Sequence, residues 1–297
     1  MEERRKRMKK LNSEIKVIGY GDNVVDRYIN RKIMYPGGNA LNFSVNAKRL
    51  GVNAAYLGEF GYDEEGQHIK AVLSELGVDI SKCSNPRDAI TEKADVEVID
   101  GDRVFIGAHR GTRRPISITK EIKEYISSFS LLHSGCHAAT ESQLGFLNDI
   151  PVIKSFDFSD PAKYRTKEYL NKVCPHIDVA LFSCADDDEN EIERLYNLCN
   201  QWNVRYILMT RGADSPVFFS NKRKYTGIVK KLERVEDTMG AGDAYFTAFV
   251  VSLLSSGWTS INNELQEEQV NQAFIEASHY SSEVCKIQGS FGFPKRF

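Results

Sequence analysis

Short apolar runs alternate along this chain with longer segments whose apolar positions recur at helical spacing. Ile15–Gly19 (IKVIG) is an apolar run closed by glycine, the pattern of a buried parallel strand. Ala40–Leu50 has helical apolar spacing and ends at Gly51, a natural helix terminator. Ala54–Gly58 reads as a second strand, and Gly66–Leu76, closed by Gly77, as a second helix. The stretch Thr91–Ile106 differs, because ADVEVI and RVFI alternate around Asp100-Gly101 and predict a β-hairpin. Beyond residue 115, strand patterns at 131–135, 152–158, 179–183 and 206–210 alternate with helical patterns at 118–128, 140–148, 166–173 and 188–202. Residues 216–235 suggest a further hairpin, whereas residues 27–36 alternate poorly, end in Tyr35-Pro36, and read as an edge strand or flap.

Strand–helix alternation of this length implies an α/β fold: a mainly parallel sheet with helices on both faces. Ligands in such sheets lie outside the carboxyl ends of the strands, where this chain carries its polar and glycine-rich loops.

Composition narrows the picture further. At 297 residues the chain can hold one large α/β domain or two small ones, and 41% hydrophobic with 27% charged residues describes a soluble globular protein. A net charge of −2 gives no reason to expect nucleic acid or membrane as partner. The longest apolar run, Ala244–Leu254, is broken by Tyr245, Thr247 and Ser252 and is too short for a bilayer. Six cysteines without a CxxC pair, behind no secretory signal, read as reduced thiols of a cytoplasmic protein. Met1–Lys10 is strongly basic and lacks an apolar core, so residues 1–14 read as a solvated arm ahead of a single domain over 15–297.

The stretch with the most chemistry is Glu236–Phe249, EDTMGAGDAYFTAF. Small residues ahead of a helix leave backbone N–H groups uncovered, and the helix N-terminus adds partial positive charge, so Gly240, Ala241 and Gly242 offer an anion site. An acid beside an anion site needs a reason, and for Asp243 that reason is to take a proton from a hydroxyl. The competing reading is a plain glycine turn with Asp243 stabilising a helix start. Asp22, Asn23 and Asp26 follow the first strand and suit a polyol, or else serve turn chemistry. Gly37-Gly38-Asn39-Ala40-Leu41-Asn42 lets backbone approach a ligand at a helix start, or simply caps that helix. His133, Cys136 and His137 cluster at a strand end and raise a zinc hypothesis, with His137 alternatively a substrate contact. Asp157-Phe-Ser-Asp160 is only superficially like the DxDx[TV] motif of aspartyl-phosphate phosphatases.

DTMGAGD (237–243) resembles DTxGAGD, the C-terminal signature of the PfkB, or ribokinase-like, family of sugar kinases. GDNVVD (21–26) is similar to that family's GDxxxD segment, GGNALN (37–42) to its GGxxxN, and GYDEEG (61–66) to its GxDxxG. The resemblance runs from about Ile15 to Gly289 and implies a ribokinase-like αβα sandwich with a small β-lid, assigned to residues 27–36 and 91–110. It implies that Asp243 is the catalytic base and that Gly240, Ala241 and Gly242 hold the transferring γ-phosphoryl group of ATP. It also implies that Asp26, with Asp22, Asn23, Gly38, Asn39 and Asn42, binds the sugar, while Asp63 serves structure. Thr210-Arg211-Gly212 resembles the family's TxGxxG, with Ser215 in place of the second glycine, so Thr210 and Gly212 would face the nucleotide phosphates and Arg211 would add a cation.

Ser183–Asp186 falls where the family carries NxxE, which makes Asp186 the candidate to support magnesium through water, with Asp187, Asp188 and Glu189 as substitutes. Asp237 and Thr238 are the candidates near a monovalent cation, potassium in many members. Within the family the motifs look most like those of fructoselysine 6-kinases. Other sugars, a nucleoside clamped by Phe105 or Tyr28, and a catalytically silent sugar-binding regulator are the alternatives; a nicotinamide dehydrogenase fails for want of GxGxxG after the first strand. Family lids also pair, which implies a homodimer formed through the lid.

Overall fold

The computed structural model describes residues 14–99, 102–230, 232 and 235–297, so the basic segment Met1–Lys10 and the Asp100-Gly101 turn lie outside the described residues. In chain order the strands are β1 (Lys16–Tyr20), β2 (Val24–Tyr28), β3 (Ile33–Gly37), β4 (Asn53–Leu57), β5 (Glu92–Ile99), β6 (Asp102–His109) and β7 (Leu131–Gly135). They continue with β8 (Ile153–Asp157), β9 (Val179–Ser183), β10 (Tyr206–Arg211), β11 (Asp214–Ser220), β12 (Arg223–Thr226) and β13 (Lys295–Arg296). The helices are α1 (Asn39–Arg49), α2 (Glu64–Leu76), α3 (Lys120–Ile126), α4 (Glu141–Leu144), α5 (Lys167–Val173), α6 (Glu189–Gln201), α7 (Ala241–Ser255) and α8 (Glu267–Val284).

The main sheet has eight strands in the order β12-β11-β10-β9-β8-β7-β1-β4. Strands β4, β1, β7, β8, β9 and β10 run parallel, and β11 and β12 turn back antiparallel at one edge. Every residue of β7 and β8 is buried, as a sheet covered on both faces requires. On one face, Phe43 of α1, Phe246 and Phe249 of α7 and Phe274 of α8 close over Val17, Leu131, Leu181 and Leu208. On the other, Leu170 and Val173 of α5 with Ile192 and Leu195 of α6 cover Phe156, Ala180, Phe182 and Ile207. Helix α7 is apolar nearly all round because α8 packs over the side turned from the sheet.

A second sheet of five strands, β13-β3-β2-β5-β6, stands apart from the first. Residues 27–36, read from sequence as one edge strand or flap, belong to two strands, β2 and β3, joined by a 3-10 turn at Ile29–Arg31. Polar side chains inside β2 obscure its alternation: Arg27 is held side-on by Asp95 of β5 (2.7 and 2.9 Å), and Asp26 faces a cavity. Helix α8 carries Val270, Ala273, Phe274 and Ala277 at core spacing behind a Gln266/Gln269 capping box, a signal the sequence reading passed over. Residues 140–148 form a single α turn followed by a 3-10 turn rather than one helix. Among the described residues no helix is long and apolar enough to cross a membrane.

Candidate active site

Helix α1 begins on a glycine with φ 115°, a conformation closed to most residues, and a β-carbon there would stand 2.9 Å from the Asn23 Cα. Gly38 has no side chain to cap the helix, so Asp22 caps it from the end of β1, accepting from the N–H groups of Asn39 (2.7 Å) and Ala40 (3.1 Å). The Asn39 side chain then reaches the carboxyl end of β8, where its Nδ2 donates to Asp157 (2.5 Å). One turn along, Asn42 Nδ2 donates to the carboxylate of Asp243 (2.7 Å), the acid in the first turn of α7. Two helix starts and the strand ends of the main sheet thus enclose one cavity of about 410 Å³, lined in part by Asp22, Asp26, Asn39, Asn42, Asp157 and Asp243.

The electrostatics of this cavity are lopsided. Glu92 and Asp160 also line it, and its one basic side chain among the described residues is His137. Burial raises the Asp243 carboxyl well above its ordinary range, Asp157 adds to the rise, the Asn42 amide opposes it, and Asp22 and Asp26 raise it further. Burial likewise lifts Asp157 to about 6, against the Ser159 N–H and Asn39 amide that favour its charged form. Both acids therefore hold their protons to a higher pH than exposed carboxyls would.

A second cavity of about 560 Å³ shares Ser183, Thr238, Ala241 and Gly242 with the first. Its walls are apolar where Pro216, Val229, Leu232, Val235 and Tyr245 line it, and Thr210, Arg211 and Gly212 stand at its edge. The start of α7 lies where the two cavities meet. Gly240 caps that helix with φ 70°, and a β-carbon on it would meet Ser290 Cβ at 2.8 Å. The Ala241 N–H closes a turn onto the Thr238 carbonyl (3.2 Å), which leaves the N–H groups of Gly242 and Asp243 as first-turn donors without an intrahelical acceptor. An apolar slot, a donor-rich helix start and a polar cavity with a buried acid suit a nucleotide, a transferring phosphoryl group and a hydroxyl acceptor in that order.

Comparison with known proteins agrees. The family model of the pfkB family carbohydrate kinases matches residues 12–290. This chain belongs to that family. It is 29% identical over 286 residues to fructosamine kinase FrlD of Bacillus subtilis (strain 168), covering 94% of each chain. It is 27% identical over 240 residues to fructoselysine 6-kinase of Escherichia coli (strain K12), covering 81% of this chain and 88% of the relative. Its fold matches a fructokinase double mutant from Vibrio cholerae O395, solved in a form bound to fructose, ADP and potassium ion, at TM-score 0.73 and 18% identity over 94% of this chain and 95% of that one. The chain is therefore a pfkB family carbohydrate kinase with the ribokinase-like fold.

Several site residues of this kinase stand elsewhere than the sequence suggested. Asn23 Nδ2 donates to the Tyr56 hydroxyl and the Glu59 carbonyl (both 2.8 Å), so its amide is committed to the protein, and Asn23 does not line the larger polar cavity. Asp186 is exposed and lines neither of the two larger cavities. Its neighbours are engaged: Asp187 pairs with Arg165 (2.6 Å), Asp188 caps α6, and Glu189 pairs with Arg211 and Lys224 (3.0 and 3.1 Å). This acidic run therefore does not fit a magnesium site of its own.

Asp237 is buried and accepts from the Tyr28 hydroxyl (2.6 Å), the Gly289 N–H (2.9 Å) and the Met239 N–H (2.8 Å). These bonds anchor the loop through the Asp237 carboxylate, and Thr238 lines both cavities. The zinc reading fails on packing: His133 lies between Phe43 and Phe246 (ring centroids 4.7 Å from each), bonds Ser155, and burial pushes its imidazole down to about 3. Asp63 is structural, capping α2 and holding both N–H and hydroxyl of Thr91. Ser290 carried no signal in the sequence, and Asp157 stood out there only in a superficial phosphatase match; what marks it for this cavity is its place at the carboxyl end of β8.

Proposed function

We propose that this kinase transfers the γ-phosphoryl group of ATP to a primary hydroxyl of a fructosamine, with fructoselysine as the leading substrate. The observation that carries the chemistry is the Asp243 carboxylate, held by Asn42 at the donor-rich start of α7 between two cavities. In this reading the apolar slot takes the nucleotide, which enters as its magnesium complex with the metal carried on the phosphates. The sugar lies in the polar cavity, where Asn42 Oδ1 and Ser290 Oγ, buried and unpartnered among the described residues, are ready to meet its hydroxyls. Asp243 takes the proton of the reacting hydroxyl as its oxygen attacks the γ-phosphorus in line. The N–H groups of Gly242 and Asp243, at the positive end of α7, meet the charge that passes across.

The substrate class rests on charge and on the named relatives. Six carboxyl groups line the sugar cavity against one histidine, an imbalance that favours a cationic substrate over a neutral ketose. The secondary ammonium of a fructosamine compensates it. Of the two aromatic residues suggested for a nucleoside clamp, Tyr28 has its hydroxyl bound to Asp237 and does not line the cavity, and the Phe105 side chain lies outside the described residues.

Asp26, Val24, Glu92 and Ala94 of the second sheet form one wall of the cavity, so we assign that sheet as the lid that excludes water from the γ-phosphate. We also assign its edge strand β6 as the pairing surface of a homodimer, and a cytoplasmic setting to the enzyme. We assign the backbone around Asp237 and Thr238 as the place for a monovalent cation such as the potassium that accompanies fructose and ADP in the Vibrio cholerae fructokinase.

The test is ADP release with magnesium ATP across fructose, ribose, a nucleoside and fructoselysine. Turnover fastest on fructoselysine is expected; turnover on another sugar alone would discard the substrate and keep the kinase. Asp243→Asn is expected to lower kcat by roughly 10²–10⁴-fold while calorimetry still registers sugar binding.

A further inference from the structure

Beside the sugar cavity lies a narrow cleft of about 30 Å³, and Asp22, Glu92 and His137 line both, so the cleft adjoins the sugar cavity on that side. Its chemistry differs from its neighbour's. No guanidinium or ammonium lines the sugar cavity among the described residues, whereas Arg113 and Arg114 line the cleft opposite Asp22, Glu59 and Glu92.

The two arginines are not alike. Arg114 is spent, bridging Glu59 (2.9 Å) and Asp88 (2.8 Å) from a side chain 44% exposed. Arg113 is less exposed, and among the described residues its guanidinium pairs side-on with Glu92 alone. Asp22 and Tyr164 stand near enough to strengthen its charge further. Its backbone lies at φ 44°, in the left-handed region that disfavours any residue with a β-carbon. Arg113 is thus held beside the sugar cavity in a backbone conformation that asparagine or glycine would adopt more readily.

Glu92 and Arg113 together form a zwitterion. A fructosamine built on an amino acid is one too, with a secondary ammonium beside the sugar and a carboxylate beyond it. At about 30 Å³ the cleft has room for a water and little more, so a substrate tail enters as the pair parts. The exchange keeps both protein charges paired: Glu92 trades the guanidinium for an ammonium of the substrate and Arg113 trades Glu92 for the carboxylate. An amine tail without a carboxylate takes Glu92 and strands Arg113.

We infer that Arg113, set by its pair with Glu92, is the subsite for the carboxylate of the amino acid carried by the sugar. The enzyme then selects fructosyl amino acids over other fructosamines. This rests on the fructosamine reading above and goes beyond it, because that reading concerns the ammonium alone.

Fructoselysine and its decarboxylated counterpart, fructosyl-cadaverine, differ only in the carboxylate. We expect the wild type to favour fructoselysine in kcat/KM by roughly 10- to 100-fold, the range of a charge-assisted contact. Arg113→Gln, which still gives Glu92 a donor, is expected to collapse that ratio to about threefold or less through loss on fructoselysine, and Arg113→Lys to restore part of it. Thermal melting confirms that each variant is folded. No discrimination by the wild type, or an equal loss on both substrates in Arg113→Gln, overturns the subsite while leaving the fructosamine reading standing. Turnover on fructose with none on either amine overturns both.

Discussion

In the proposed mechanism the side chain that decides the chemistry is Asp243, and its neighbours set the pH at which it would work. A general base must be ionised, yet burial and the nearby Asp157 both favour its protonated form, with the Asn42 amide alone opposing them strongly. Its titration therefore lies well above the ordinary carboxylate range. The acid limb of a kcat/KM profile, which reports the free enzyme, should accordingly fall at a higher pH than an exposed aspartate would give. Replacing Asp157 with asparagine removes a like charge, makes ionisation easier, and should move that limb toward lower pH. A limb unmoved in Asp157→Asn would mean that burial, with Asp22 and Asp26, holds Asp243 without help from Asp157. Legibility divides at this scale as well. Asp243 was readable because glycines and a following apolar helix mark the spot where a base meets an anion site. Asp157 was not, because an acid after a buried strand has the same local pattern whether it faces a cavity or solvent. Asn42 was legible as a site residue, but its bond to Asp243 depends on two helices distant in sequence.

Elements position these side chains through a few contacts between segments far apart in the chain. The loop ahead of α7 is fixed by Asp237, and one of its three donors, the Tyr28 hydroxyl, comes from β2 of the second sheet. Tyr35 of β3 stacks edge-on against Tyr28 (5.3 Å between ring centroids), and its hydroxyl reaches Gln288 beside Gly289. The wall of the polar cavity and the start of α7 are therefore one mechanical unit. Tyr28→Phe removes a hydrogen bond to a buried carboxylate, a loss of roughly 1.5–3 kcal/mol. We expect a lower melting temperature together with a severalfold fall in kcat as the loop loosens. A fall in melting temperature with unchanged kcat would show that Asp237 is anchored well enough by Met239 and Gly289. Helix and strand positions were largely readable, since the main-sheet strands are apolar runs and α2 ends on the glycine that marks its stop, Gly77 with φ 68°. Strand β2 was not, because Asp26 and Arg27 answer to a cavity and to Asp95, neither of which is local.

At the scale of the whole molecule, alternation of strand and helix implied the parallel sheet, because a buried parallel strand can hardly be written otherwise. The second sheet could not be assembled in the same way: β2 pairs with β5 in parallel across the whole first βαβα segment, and β13 joins from the C-terminus. That sheet also leaves an edge. Among the described residues strand β6 pairs only with β5, in the order β13-β3-β2-β5-β6, and it shows Val104 and Ile106 to solvent at 41% and 49% exposure. An edge strand bearing β-branched apolar residues invites pairing with another strand, and monomers usually blunt such edges with charge. A second copy of this sheet satisfies the free backbone groups and covers both side chains, consistent with the assigned homodimer. Sedimentation equilibrium at micromolar concentration should then give twice the 33.6 kDa chain mass. Ile106→Lys places a charge on that edge and should shift the protein toward monomer without unfolding it, because the side chain is half exposed and contributes little to the core. If the wild type sediments as a monomer throughout that range, the edge is simply tolerated and the lid closes one chain at a time. If it is a dimer that Ile106→Lys leaves intact, the interface lies on another face, and the lid moves free of it.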